Sequence, residues 1–219
     1  MNNVRYYTID PPAALAGYVR SFWVFEMDLP DGQPYVYRSM AGACTELVFH
    51  YKGTFADADA DRHKAEPLSL MHAQTQQYRR FITQGSFGIF GVYLYPFAVP
   101  RLLSVSSAEL TDQMPDLRTI LGAEGAELEE RMMLAVDNKQ RSVILSDYLI
   151  KRLQKQKEAP AVIRSAIKTA IHAKGLINIP SFTEQNNLSR RQFERRFKEQ
   201  SDFNLKTNCR ILRFHSYLN

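Results

Sequence analysis

An α+β fold is predicted for this chain of 219 residues, with a small β sandwich or barrel first, a helical connector next and a helix-turn-helix unit last. Three observations predict it. Apolar residues alternate over short runs between positions 18 and 94, the spacing changes to threes and fours after Pro96, and the charge changes sign near residue 150. The units that follow are 1–95, 96–157 and 158–219.

Hydrophobic residues at 45% and charged residues at 23% fit a folded globular chain and exclude a disordered tail, a collagen-like repeat and a disulfide-dense scaffold. Cys44 and Cys209 lie far apart and outside any C-x-x-C spacing, so two packed thiols are expected. The start, MNNVRYYTIDPPAAL, has no apolar stretch of the secretory type, and a cytoplasmic location is expected. Residues 81–100 carry no charge, which is nominally long enough to cross a bilayer. Gly85, Gly88, Gly91, Pro96 and Pro100 interrupt that run and its aromatics alternate, so it is read as sheet and no membrane partner is expected.

The β part is built from short runs. Phe22 and Val24 alternate with Trp23, Phe25, Met27 and Leu29; Leu47, Phe49 and Tyr51 share a face around Val48. Residues 35–40, 68–74, 78–83 and 87–94 supply further strands, separated by Asp-Gly, Lys-Gly and Gln-Gly turn signals. In the connector, Leu128, Met132 and Val136 recur every four residues, as do Leu145, Leu149 and Leu153, which predicts two helices.

The charge divides along the same line. Residues 1–150 hold 13 lysines and arginines against 18 acids, and the remaining 69 hold 15 against 5. A basic end of this density suits a polyanion, because lysines and arginines on phosphates release condensed counterions.

Within that basic end, Ile163, Ala166, Ile167, Ala170 and Ile171 form an i, i+3, i+4, i+7, i+8 stripe, with Pro160 suited to the first turn and Gly175 to a left-handed C′ position. A second, shorter helix is predicted from an Asn178 N-cap through Phe182 to Asn186, tolerating Pro180 in its first turn. Asn186-Asn187 makes the break. Ser189 with Gln192 forms a capping box, and Leu188 can staple onto Phe193. The third helix, 189–199, then turns Phe193 and Phe197 inward and Arg190, Arg191, Glu194, Arg195 and Lys198 outward, with Gln192 beside them. Ser189, Arg190, Arg191, Gln192, Glu194, Arg195 and Lys198 are therefore the candidate DNA-binding residues.

At these residues the chain resembles the AraC/XylS family of bacterial transcription regulators. LSRRQFERRFK (188–198) is similar to the family's first recognition helix, and RILRF (210–214) to the start of the long helix linking its two helix-turn-helix units. Further upstream, RSFWVFEM, CTELVFHY, GIFGVYLYPFAVPRLL and AELTDQ resemble the sensor domain ahead of many such regions. The resemblance implies a cupin-like β domain that senses an effector or mediates oligomerisation, and double-stranded DNA, a small-molecule effector and a homodimer as partners. Asn187, Thr183, Asp202 and Leu205 stand where the family has glycine, alanine, glycine and proline. The family also has a second helix-turn-helix unit, which this sequence, ending at Asn219, does not hold; weak DNA binding by the monomer is the expectation.

Asp57, Asp59 and Asp61 open like a calcium loop, but Arg62 and Leu68 occupy the glycine and glutamate positions, so an acidic loop is expected. His50, His63, His72, Cys44 and Glu46 lack an H-x-H pair, and surface or packed histidines are expected, with no metal or other cofactor. No G-x-S-x-G, Walker-type or H-E-x-x-H pattern supports an enzyme. The aromatics Trp23, Phe25, Tyr35, Tyr37, Phe49, Tyr51, Phe90 and Tyr93 either form core or line a ligand cavity, leaving ligand-binding residues unassigned. The alternative to a regulator is a small-molecule or protein-binding β module without DNA activity.

Overall fold

The computed structural model describes residues 3–30, 32–59, 66–105, 110, 112–154, 161–201 and 203–218. Asp31, Asp61, Arg62, His63, Pro160, Asp202 and part of the run 108–113, all used above, lie outside them. Eight strands come first: β1 (Asn3–Ile9), β2 (Val19–Asp28), β3 (Tyr35–Ser39), β4 (Thr45–Lys52), β5 (Ala56–Asp57), β6 (Ser69–His72), β7 (Arg79–Thr83) and β8 (Phe87–Leu94). They form a five-stranded sheet, β1-β2-β8-β4-β6, and a three-stranded sheet, β3-β7-β5, with antiparallel pairing throughout. The sequence pattern anticipates neither β1 nor β5.

Alternation along the strands sorts side chains between two cores. Phe22, Val24, Leu47, Phe49, Phe90 and Val92 join one that includes the helices. Trp23, Met27, Val48, Leu70, Phe87 and Ile89 face Phe55 and Phe81 of the opposite side in the other. The five-stranded sheet is thus a middle layer, and a strand covered on both faces reads as a nearly continuous apolar run. Each fully buried phenylalanine among these contributes roughly 2–3 kcal/mol of transfer free energy. Gly91 has a second role: a Cβ there would lie 2.2 Å from Cε2 of Trp23, so the indole lies directly over the β8 backbone.

A 3₁₀ turn (Pro96–Ala98) leads into α1 (Val99–Leu103), followed by α2 (Leu117–Leu121), α3 (Ala123–Leu134) and α4 (Asn138–Leu153). Four described helices therefore stand where two were expected. Leu145, Leu149 and Leu153 are buried as predicted. Val136 is not: α3 ends at Leu134, Val136 is 86% exposed, and Asp137 caps α4 by accepting from the Gln140 amide at 2.7 Å. The cap interrupts the four-residue spacing that seemed to run through. Arg141 fastens this turn, donating to the carbonyls of Met132 (3.1 Å) and Ala135 (2.8 Å) while its guanidinium lies 3.8 Å from the Tyr51 ring centre on β4. Among the described residues no helix is long and apolar enough to cross a membrane.

The C-terminal helices are α5 (Ala161–His172), α6 (Ile179–Gln185), α7 (Arg190–Ser201) and α8 (Leu205–Leu218). All five residues of the predicted α5 stripe are buried. Its end differs in detail from the expectation. The Lys174 amide bonds to Ile171 (3.1 Å) and the Gly175 amide to Ala170 (2.8 Å), a Schellman pattern in which Lys174, at φ 50°, is the left-handed C′ residue and Gly175 follows it. Gly175 is itself at φ 80°, and a Cβ there would sit 2.4 Å from the carbonyl oxygen of Cys209 on α8. Gly175→Ala is expected to cost about 2–4 kcal/mol through strain and the lost close approach of α8; urea denaturation checks it, and a loss below about 0.5 kcal/mol refutes the packing argument. α8 starts at Leu205, ahead of the RILRF run, because Asn204 caps it through the Thr207 amide at 2.9 Å. Cys44 and Cys209 are both free, buried thiols, as expected.

Candidate nucleic-acid interface

The geometry of α7 follows from its entry. Asn178 caps α6 by accepting from the Ser181 amide at 3.1 Å. The helix closes with bonds from Asn187 to Glu184 (3.1 Å) and from Leu188 to Thr183 (3.0 Å), with Asn187 left-handed at φ 50°. This is the same motif that ends α5, and it explains why asparagine serves at this break. The chain then enters the capping box: the Gln192 amide donates to Ser189 Oγ at 3.2 Å and the Ser189 amide to Gln192 Oε1 at 3.1 Å. Leu188 packs against the core that holds Phe193.

Phe193 and Phe197 have no exposed surface. Their ring centres are 5.8 Å apart, and Phe193 lies 5.4 Å from Phe182 of α6. This anchors α7, which runs two residues beyond the expected 199. On its outer side Arg190, Arg191, Glu194, Arg195 and Lys198 are all exposed, with Arg191, Arg195 and Lys198 following an i, i+4, i+7 stripe.

The outward cations are not equivalent. Arg190 pairs with Glu194 and Arg195 with Glu199, each at 2.9 Å and each one turn apart. Such pairs stabilise an exposed helix by about 0.3–0.5 kcal/mol, so a phosphate could displace either acid at small cost. Arg191 and Lys198 make no ion pair among the described residues. Ser189 and Gln192 are engaged in the cap, which leaves the Gln192 amide nitrogen as the free donor of that side chain. Glu199, four residues after Arg195, joins the site as the partner of that arginine, a spacing visible in the sequence.

Part of the C-terminal charge is spent internally. Arg164 donates to the Tyr18 hydroxyl (3.1 Å), Lys168 to the Ala16 carbonyl (3.2 Å), Arg210 to Gln76 (3.5 Å) and Arg213 to the Gly175 carbonyl (3.1 Å). His215 bonds to the Ala41 carbonyl. Four of these five contacts reach the β part of the chain, whereas the hydrogen-bonded partners of the α7 arginines, Glu194 and Glu199, lie on α7 itself.

A second site lies between the sheets. Trp23, Tyr37, Glu46, His50, Glu66 and His72 line a cavity of about 20 Å³, closed by Phe55 and Phe81. Glu46 and His72 are cross-strand partners of β4 and β6, and they also wall a second cavity of about 20 Å³ toward Ser39, Thr75, Gln77 and Arg79. Burial pushes Glu46 up to about 8 and Glu66 up to about 7, where the charge of Asp57 adds to it and Arg79 works against it. Burial likewise lowers His50 to about 4, and lowers His72 to about 3 with His50 and Arg79 acting in the same direction. The histidines expected at the surface or in the core are thus held neutral on a cavity wall.

Of the expected aromatics, Trp23 and Tyr37 line this cavity, while Phe49 and Phe90 belong to the helix-side core. Among the described residues no group of three or more histidine, cysteine, aspartate or glutamate side chains is placed to hold a metal ion. Asp59 pairs with Arg80, and Asp57 lies in β5 and accepts from the Asp59 amide at 2.9 Å.

Among solved structures, the chain is similar to wild-type ToxT from Vibrio cholerae strain SCE256 bound to an unsaturated fatty acid, at TM-score 0.44 and 10% identity over 90% of this chain and 79% of that one. It is similar to the AraC-like transcriptional activator CuxR at TM-score 0.33 and 11% identity, over 98% and 86%. The Drosophila melanogaster CENP-C cupin domain is similar at TM-score 0.23 and 10% identity, over 42% and 70%. Curated proteins give no match. A family model described as a domain of unknown function, DUF6597, matches residues 7–116, half of the chain, and spans all of β2–β8. The chain belongs to the DUF6597 family.

Proposed function

We propose that this chain is a DNA-binding transcription regulator whose helix-turn-helix unit, α6 and α7, places α7 in the major groove, and whose β sandwich senses a small molecule. One observation carries this reading: α7 is locked from behind by two fully buried phenylalanines and shows a continuous exposed stripe of Arg191, Arg195 and Lys198. A rigid rod with outward guanidinium groups suits phosphate contacts and guanine edges. Arg191 reads a base or holds a phosphate, Lys198 and Arg195 hold phosphates, and Ser189 sits at the helix N-terminus where a backbone phosphate is favoured. Arg190, Gln192 and Glu194 border that stripe.

Arg191→Ala is expected to weaken binding to duplex DNA by about 1–3 kcal/mol without lowering the melting temperature. If Arg191 holds a phosphate, the loss is uniform across sequences and the salt slope drops by about one; if it reads guanine, sequence preference relaxes. Fluorescence anisotropy across a salt series measures both. Binding absent at low salt, or indifferent to added salt, refutes the DNA reading. The internal use of Arg164, Lys168, Arg210 and Arg213 favours a second reading, a β module for a small molecule or partner protein, in which the basic helices only pack. Salt-indifferent ligand binding without DNA binding is what that reading expects.

A further inference from the structure

The inner cavity has a chemistry of its own. Its wall contains two carboxyl groups, Glu46 and Glu66, and no lysine or arginine. Neither carboxyl takes part in an ion pair among the described residues. Two ring nitrogens of lining residues, His50 Nδ1 and His72 Nε2, are buried with no hydrogen-bond partner; the Trp23 Nε1–H, a donor only, is likewise unpartnered and lies against Gly91 of β8. His50 is 4% exposed, and buried polar groups without partners are uncommon enough to call for an occupant of the cavity, an ordered water included. The rings complete the box: His50 lies 5.5 Å from Phe55 and His72 5.8 Å from Phe81.

We propose that this cavity is a binding site for a small primary amine in its ammonium form. Carboxylates accept the ammonium hydrogens, neutral imidazoles accept through an unprotonated nitrogen, and the aromatic faces attract a cation. Once ionised, the two carboxyl groups repel an anion. Size selects within the cations: about 20 Å³ admits a group of roughly one water, which fits an ammonium head and rejects a quaternary one. The second cavity shares Glu46 and His72 as wall residues and runs to a polar rim of Ser39, Thr75 and Gln77, with Arg79 on its own wall. That rim is next to Ala41 and Gln76, the two positions that α8 grips through His215 and Arg210, so occupancy is read on the β part where the C-terminal helices attach.

Binding is coupled to protons. Glu46 is faced by His72 from β6, Tyr37 from β3 and Tyr93 from β8, with Cys44 beside it on β4's approach and Arg20 from β2 near that thiol. Glu66 is faced by Asp57 of β5 and Arg79 of β7. An ammonium stabilises the ionised carboxyls, which burial otherwise disfavours, so amine binding releases protons and tightens as pH rises from about 6 to about 8.5.

The inference deepens the sensing half of the proposed function and rests on it for its biological meaning; binding itself is measured without DNA, so the two can fail separately. Trp23 is the one tryptophan of the chain, which makes its fluorescence a reporter of this wall. The full chain is titrated with methylammonium chloride against sodium chloride and tetramethylammonium chloride at equal ionic strength. The expected result is a saturable change with methylammonium alone, weakened about tenfold or more in Glu46→Gln and in Glu66→Gln, with proton release seen by calorimetry in two buffers. Melting at pH 5.5, where the carboxyls are protonated, establishes that each variant is folded. No saturable change, an equal change with tetramethylammonium, an unaltered affinity in both variants, or a response to zinc in place of the amine overturns the proposal.

Discussion

Phe197→Ala is expected to lower stability by about 3–5 kcal/mol, the usual loss when a fully buried ring is truncated and its neighbours cannot close the gap. The ring has no exposed surface and stands 5.8 Å from Phe193, which in turn meets Phe182. The helix that carries it packs against α5 and against the 3₁₀ turn at Pro96–Ala98. The variant therefore loosens the helix that carries Arg191, and DNA affinity falls together with the melting temperature. Arg191→Ala separates the two effects, because it leaves the back of the helix intact. Urea denaturation and DNA anisotropy on both variants decide the matter. A Phe197→Ala protein within about 1 kcal/mol of the parent would show that α7 is not fastened as described.

The second large effect is a pH profile with two limbs. In the unfolded chain carboxyls titrate near 4.5 and imidazoles near 6.5; in the fold Glu46 and Glu66 rise to about 8 and about 7, while His50 and His72 fall to about 4 and about 3. Between those two unfolded values, folded and unfolded chains carry equal numbers of protons on the four groups, and stability is flat. Above about 6.5 the folded chain retains carboxyl protons that the unfolded chain has released, so stability falls as pH rises through the folded carboxyl values. Below about 4.5 the unfolded chain binds protons that the buried imidazoles refuse, and stability falls with decreasing pH. Glu46→Gln removes the larger part of the alkaline limb, so its gain over the parent grows by roughly 3 kcal/mol between about pH 5.5 and about pH 9. Melting curves from pH 4 to 9 test this. A Gln variant that is not stabilised at the alkaline end refutes the enclosed setting of Glu46.

How much of this could be read from the sequence depends on whether the signal was local. The α7 entry was legible to the residue, because Ser189, Gln192, Asn187 and Leu188 act within a few positions of one another. The α5 stripe was legible for the same reason. Strand β1 was not: Tyr6 and Tyr7 are exposed and its partner β2 lies beyond an intervening turn, so no periodicity marks it. Val136 misled because spacing says nothing of a cap, and Asp137 ends the pattern. The cavity needed both sheets. Glu46 and His50 stand out as polar residues on the Val48 face of β4, which hints at a wall, but Glu66 reaches it from a segment with no strand pattern. The pairs Arg190–Glu194 and Arg195–Glu199 could have been counted from their spacing alone.

β4 is common ground for both halves of the molecule. Its even-numbered residues, Glu46 and His50, border the enclosed space, while its odd-numbered neighbours, Leu47 and Phe49, are embedded in the mass of helices. A backbone cannot shift for one neighbour and stay still for the next. Whatever shifts one side of that ribbon shifts the packing on the other without any hinge, because a single strand separates the space between the sheets from the helices.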